Sequence, residues 1–502
     1  MPGERPRPGV EHRCRRSRPE RRRAVNVYWD NHLRRVYEFA EPRLFLPMVQ
    51  ASRAHVVMLA ERGLLPADRA KRLLDGLDTL RSPVPAPAFD GTFEDVYYLM
   101  EKRLAEVSGI DRSELDVQLA RSRNDLDAGV FRWAVRDDLL TLADVVISET
   151  RSATDAAQRY ADALIIGFTH RRPAQPTTIG HVLAGLVEAR LSLLREWVDV
   201  YDEVNVSPLG SAAFAGTDLA IDPGRVAEML GFATTFRSSY DAVAGAEHLF
   251  RPAALYARFG ATTARFARTL LDWMTRGWVQ TPEEFTQGSS IMPQKRNPVV
   301  LEHLCSYAGA AAGDLASVAN NIGVAYFEDS NNATTDVQPY LARAADRAIR
   351  TARLTAGLIA ALRVGELPTD EEIVASGSTA TSAAEELARQ GIPWRGAHGV
   401  IHDLVLAGTP AEWSPRQVDA AVRAAGFGPL PDGGAQRVID AATDPTRVLR
   451  RTQPGSPGIE AVQAYSAAAR QELAGIEDAV TRRRAALRDA ASRLDAAVAA
   501  IR

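Results

Sequence analysis

The stretch Gln287-Gly288-Ser289-Ser290-Ile291-Met292-Pro293-Gln294-Lys295-Arg296-Asn297-Pro298 interrupts a chain that is otherwise patterned for helix. Two serines after a glycine, enclosed by prolines that fix the backbone, read as a mobile loop able to close over a ligand and exclude water. Lys295 and Asn297 suit an anionic oxygen that gains charge during a reaction. Composition alone favours a basic surface loop. Glu302 follows on what the spacing predicts to be the next helix, where its carboxylate can orient a histidine.

Working outward, three more segments crowd polar and flexible residues together. Ser122-Arg123-Asn124-Asp125 sets a guanidinium fork beside an amide, a pairing suited to carboxylates, though a solvated helix end has the same composition. Gly167-Phe168-Thr169-His170-Arg171-Arg172-Pro173-Ala174-Gln175-Pro176 gathers a hydroxyl, an imidazole and an amide before two prolines. Imidazole is the side chain best matched to proton transfer near neutral pH, while a lone loop histidine is usually just solvated. Tyr326 through Thr335 (YFEDSNNATT) is a polar run that lines a pocket or merely turns the chain.

Around these islands the period is helical. Leu183, Leu186, Val187, Leu191, Leu194 and Trp197 follow the i, i+3, i+4 spacing, with Glu188, Arg190, Arg195 and Glu196 between them. Thr281-Pro282-Glu283-Glu284 and Thr369-Asp370-Glu371-Glu372 each have the form of a capping box. Leu164-Ile165-Ile166 is the best short strand, and nothing alternates strand with helix as a parallel sheet requires. Breaks rich in Pro and Gly near 81–91, 207–223, 364–370 and 427–434 predict an all-α, three-part chain. Its parts are an N-terminal helical domain at 26–115, a central helical bundle at 116–365 and a C-terminal helical domain at 366–502, preceded by an arm at 1–25.

The chain has 502 residues, too many for one core, and a net charge of −3 from 60 basic and 63 acidic side chains, which does not point to nucleic acid. That total is uneven. Residues 1–23 hold nine Arg and three Glu, so the arm is +6 and the rest −9. With four Pro and two Gly the arm reads as a disordered tail; the rival reading is an RNA-binding or targeting arm. Two cysteines, Cys14 and Cys305, make neither a disulfide framework nor a cysteine metal site. No charge-free run reaches the length of a membrane span, and no apolar run follows the basic start, so a cytoplasmic address is expected. No Walker loop, dinucleotide fingerprint or GxSxG elbow is present.

Taken together, these segments resemble the fumarase/aspartase superfamily, and within it the argininosuccinate lyases. GSSIMPQKRNP at 288–298 is similar to the signature loop, with the Gln-Lys-x-Asn-Pro form of that branch. The resemblance extends to Glu94-Asp95-Val96, to 122–125, to THRRPAQP at 169–176, to PLGSAAFAG at 208–216 and to Gly391-Ile392-Pro393-Trp394-Arg395-Gly396-Ala397-His398, covering roughly residues 26–480. It implies an all-α fold whose central long-helix bundle forms the core of a homotetramer, with each active site built from several subunits. It also implies β-elimination of an N-substituted aspartate to fumarate and an amine, with no metal and no organic cofactor. Ser289 is then the general base, its alkoxide supported by Lys295 and loop amides. Lys295 and Asn297 hold the carboxylate whose charge grows, and His170, paired with Glu302, protonates the departing nitrogen. Ser122, Arg123, Asn124, Thr169 and Gln175 position the succinyl carboxylates, and Asp95, Tyr97, Tyr326 and Asn331 face the substrate. His398 and His402, which are spaced like a helical metal pair, become a plain helix start.

The departures from the branch concern the amine. Tyr97 stands where the family usually has His, Asn331 and Thr334 where it has Gln and Lys, and Ala246 where Arg is common. The substrate is therefore argininosuccinate or another N-succinyl amine or aminopolycarboxylate. Two readings of other classes are a hydrolase using Ser, His and Glu, which the missing elbow argues against, and a non-catalytic structural or binding member, which the intact Ser289, Lys295 and His170 argue against.

Overall fold

Capping chemistry and apolar periodicity set the ends and faces of long rods. The computed structural model describes residues 27–82 and 87–502, so the arm at 1–25 lies outside the described residues. Helices α1 (Arg34–Glu61), α2 (Ala67–Leu80) and α3 (Val96–Ser108) come first. Next is α4 (Arg123–Arg159), started by a capping box in which Ser122 and Asp125 exchange hydrogen bonds with each other's backbone turn. A hairpin follows, β1 (Leu164–Thr169) antiparallel to β2 (Arg172–Thr178). Then come α5 (Ile179–Val204), the short α6 (Pro223–Met229) and α7 (Asp241–Ala244), and the rods α8 (Glu247–Thr275), α9 (Val299–Gly323) and α10 (Gln338–Ala360). Helices α11 (Asp370–Ala375), α12 (Ala380–Arg389), α13 (Trp394–Ala407), α14 (Pro415–Ala424), α15 (Gly434–Thr443) and α16 (Ile459–Ile501) complete the chain. The fold is all-α, with strands among the described residues confined to two-stranded pairs.

The apolar residues gather in three clusters. The largest lies among α4, α5, α8, α9 and α10, around Leu139, Trp197, Phe259, Leu301 and Leu341. A second joins α1 to α3 with the start of α4, and a third holds α12 to α15 together. Helix α16 belongs to the first two. Arg470 pairs with Asp155 at 2.7 Å, Arg151 with Glu477 at 2.7 Å, and Arg484 with Asp144. That descending register makes α16 antiparallel to α4, and Leu494 and Val498 at its far end enter the second cluster. The stretch 366–502 thus divides into a small helical cluster and one long rod lying on the bundle.

Local expectations fare unevenly. The capping box at Thr369 forms and starts α11. The one at Thr281 does not: Pro282 occupies the cap position of a three-residue 3₁₀ turn, Glu283–Phe285, and the Thr281 hydroxyl donates to Met274 Sδ at 2.8 Å. The strand at 164–166 is β1, and the prolines of its partner are tolerated because the hairpin has open edges. Arg190, placed by periodicity among the polar residues of α5, is fully buried against Glu149 at 2.8 Å, with Thr263 Oγ1 and the Phe259 ring completing its shell. No helix of the described residues is long and apolar enough to cross a membrane.

Candidate active site

The groups singled out in the sequence fall into two sets, at opposite ends of the bundle. The first surrounds the start of α4. Asp95 caps α3 by accepting from the Tyr98 amide at 3.2 Å and pairs with Arg123 Nη1 at 2.6 Å. Arg123 Nη2 meets Asp127 at 3.2 Å, and its guanidinium lies 5.4 Å and 5.5 Å from the rings of Tyr97 and Tyr98. Tyr97 is buried and donates to Glu101 Oε1 at 2.9 Å. Asp125, wholly buried, accepts from the Ser122 amide at 2.8 Å and from the Gly210 amide at 3.1 Å, tying 122–125 to the loop at 208–216. That loop holds Ala212 and Ala213 at φ of +47° and +73°, left-handed conformations that cost alanine roughly 1–2 kcal/mol each.

Asp95, Tyr97, Arg123 and Asn331 line one cavity of about 110 Å³, together with Asp127 and Asp336. Burial, reinforced by the neighbouring carboxylates of Asp95 and Asp329 and opposed by Arg123, pushes the Asp127 carboxyl up from its ordinary 3.8 to about 7. Ser122 and Asn124 are half-buried beside this cavity, bonded to each other. Tyr326 does not join them: it is 83% exposed, and its neighbour Phe327 packs tilted against Tyr240, which in turn meets Phe214 edge-on.

The second set lies at the other end. His170 and Arg171 take φ of +49° and +63°, so they form the tight turn that joins β1 to β2 and leave Thr169, His170 and Gln175 exposed. Phe168 packs 6.2 Å from Trp278, with the Arg276 guanidinium 4.3 Å from its ring, and Arg171 pairs with Asp272 at the close of α8. The loop of residues 287–297 springs from the same place. Its ends pair as Gln287 with Asn297 and Gly288 with Arg296, which closes it into a flap before α9. Within it Ser289 Oγ accepts from the amides of Ile291 at 3.3 Å and Met292 at 3.0 Å. Lys295 is exposed and Asn297 half-buried, and Glu302 stands in the first turn of α9. No hydrogen bond among the described residues joins His170 to Glu302.

The distance between the two sets follows from helix length. Helix α4 spans 37 residues, about 55 Å, from Arg123 to the foot of the hairpin. Helix α9 spans 25 residues, about 37 Å, from beside the flap to the turn before Asn331. Within one chain the two sets therefore lie tens of ångströms apart. Asp127, which sequence reading passed over, shows why Arg123 differs from expectation: an aspartate four residues on along a helix faces the same side, and the guanidinium is shared between two carboxylates.

Comparison with known proteins agrees with this architecture. A family described as Lyase matches residues 35–313. Argininosuccinate lyase from Natronomonas pharaonis is 33% identical over 456 residues, 90% of this chain and 91% of that one. Argininosuccinate lyase 2 from Agrobacterium fabrum is 32% identical over 382 residues, 74% and 75% of the two chains. The crystal structure of EDDS lyase in complex with formate superimposes with a TM-score of 0.82 at 28% identity, covering 92% of each chain. Class II fumarase from Schistosoma mansoni shares the fold, at a TM-score of 0.65 and 14% identity over 81% of this chain and 90% of that one. The chain belongs to this lyase family, in the argininosuccinate lyase branch of the fumarase/aspartase superfamily, and is a carbon–nitrogen lyase.

Proposed function

We propose that the enzyme performs β-elimination on an N-substituted aspartate, releasing fumarate and an amine, in sites that several copies of the chain assemble. The observation that carries the chemistry is the pair of amides on Ser289 Oγ. A serine hydroxyl is a poor base, and fixed donors aimed at its oxygen stabilise the alkoxide that must form. Ser289 takes the Cβ proton, the C–H pair becomes the double bond, and the C–N pair leaves with nitrogen, which His170 protonates with Glu302 orienting the ring. Lys295 and Asn297 hold the carboxylate on which negative charge accumulates. Ser122, Asn124, Thr169 and Gln175 position the succinyl oxygens, while Arg123, already held by Asp95 and Asp127, acts on the amine side with Tyr97 and Asn331.

Separation of the two half-sets by tens of ångströms supports a homotetramer with sites shared between subunits, and the same reading puts the enzyme in the cytoplasm. Likeness to EDDS lyase favours an aminopolycarboxylate as a second substrate reading. Fumarate release from argininosuccinate and from ethylenediamine disuccinate, followed by absorbance, tests the activity; Ser289→Ala is expected to abolish it. Mixing Ser289→Ala with Arg123→Ala chains, refolded together, is expected to restore part of the activity. Full activity in Ser289→Ala refutes the base, and failure of the mixture to recover any refutes the sharing.

A further inference from the structure

The cavity at the start of α4 has an unusual charge. Among the described residues, four carboxylates, Glu94, Asp95, Asp127 and Asp336, line it against the single guanidinium of Arg123, a formal −3. Asp329 adds its field from just outside. Arg123 spends its two terminal nitrogens on Asp95 and Asp127, so it presents no free cation to a carboxylate ligand. Thr334, which stands where a lysine would pair with an amino-acid carboxylate, turns its hydroxyl to the Ser330 carbonyl at 2.9 Å.

A second observation is independent of charge. Asp127, one of the residues lining the cavity, has an Oδ1 that is shut off from solvent and without a hydrogen-bond partner among the described residues. An orphaned buried acceptor is destabilising unless a donor arrives. The remaining wall is mostly apolar and aromatic, with Tyr37, Tyr97 and Phe131 beside Leu44 and Met48, and carries His32, Asn331 and Thr335 as its neutral polar groups. Acidic groups over aromatic faces and alkyl surface form a receptor for an alkylammonium ion.

We infer that this cavity receives the amine half of the substrate and is built for a protonated aminoalkyl chain without a carboxylate, so that the substrate class is an N-(aminoalkyl)aspartate, an aspartate whose nitrogen belongs to a diamine or polyamine. The inference rests on the elimination reading given above. In the reaction the C–N bond to the succinyl carbon breaks, the Cβ proton goes to Ser289, and the diamine leaves after its nitrogen gains a proton. The distal ammonium stays charged throughout and is held by Asp127 and Asp95. An amino-acid amine brings a carboxylate into the same negative field and is the poorer substrate.

The reverse reaction tests this with simple probes. Purified full-length enzyme is incubated with fumarate and, separately, 1,4-diaminobutane, butylamine, ornithine or arginine, and fumarate loss is followed. The diamine is expected to have a kcat/KM about tenfold or more above butylamine and above both amino acids. In Asp127→Asn, and in Asp336→Asn at the rim, the ratio of diamine to butylamine is expected to fall toward one through a higher KM for the diamine. Ornithine or arginine reacting as well as the diamine, or an unchanged ratio in both variants, overturns the inference and leaves the elimination reading standing. No loss of fumarate with any of the amines, together with no fumarate from any N-substituted aspartate in the forward direction, overturns the elimination reading itself.

Discussion

Replacing Asp127 by asparagine keeps the shape of the side chain and an oxygen for Arg123 Nη2, and removes only the ionisation. In the folded protein burial raises this carboxyl from 3.8 to about 7. The sign follows from proton binding: between those two values the folded state holds a proton that the unfolded state has lost, so stability falls as pH rises through the window. The penalty is absent below about pH 4, grows up to about pH 7 and is complete above it. At 1.36 kcal/mol per unit, wild type loses about 3 kcal/mol from this group between pH 5 and pH 8. For a chain of 502 residues, with an unfolding entropy near 2.1 cal/mol/K per residue, that corresponds to about 3 °C in Tm. Thermal unfolding by calorimetry at pH 5 and pH 8 should show the Asp127→Asn variant gaining about 3 °C on wild type across that interval. An identical pH dependence for the two proteins would refute the burial argument.

Three other outcomes are expected. Asp125→Ala removes a helix cap and the acceptor of the Gly210 amide together, and should cost about 1–3 kcal/mol in urea unfolding while lowering fumarate release, because the loop at 208–216 loses its anchor. Arg190→Met strands Glu149 in the bundle core and should cost about 3–5 kcal/mol, whereas the double variant with Glu149→Leu should recover most of that loss; a double variant no better than the single would show that packing, not charge, dominates. Gly180→Ala places a Cβ 2.3 Å from the Ala157 carbonyl oxygen, where backbone has to move, and should cost about 3 kcal/mol by the same unfolding assay.

Much of this structure is legible in residue order. Periodicity marks the rods because one face of each is apolar, and Trp197, Leu191 and Leu183 of α5 are buried as their spacing requires. The signature residues are legible as chemistry because serines, lysine and amide crowd together where a helix surface would spread them. Ionic detail is not. Arg190 has the spacing of a surface residue and is buried, since its partner Glu149 comes from another helix 41 residues away. Arg123 looks like a free cation in sequence; Asp127 four residues on shares its helix face, and the approach of Asp95 from the cap of α3 completes its neutralisation. Thr281 has the pattern of a cap, but the proline after it and the sulfur of Met274 compete for its role. For the two arginines a contact distant in sequence decides between the local alternatives.

The length of α4 has a consequence for how the chain can change. If the proton-transfer groups at one end of the bundle and the amine cavity at the other both serve neighbouring copies, the rods act as a ruler that fixes how subunits register. One residue inserted in the middle of α4 advances one end by about 1.5 Å and turns it by about 100° relative to the other. Misplacement of that size in a reacting group costs about a hundredfold in rate. Substitutions along the rods are therefore judged one at a time by packing, whereas insertions and deletions are judged by every site in the assembly at once. New substrates should be reached by exchanging side chains around Asp127, with the rod lengths held constant.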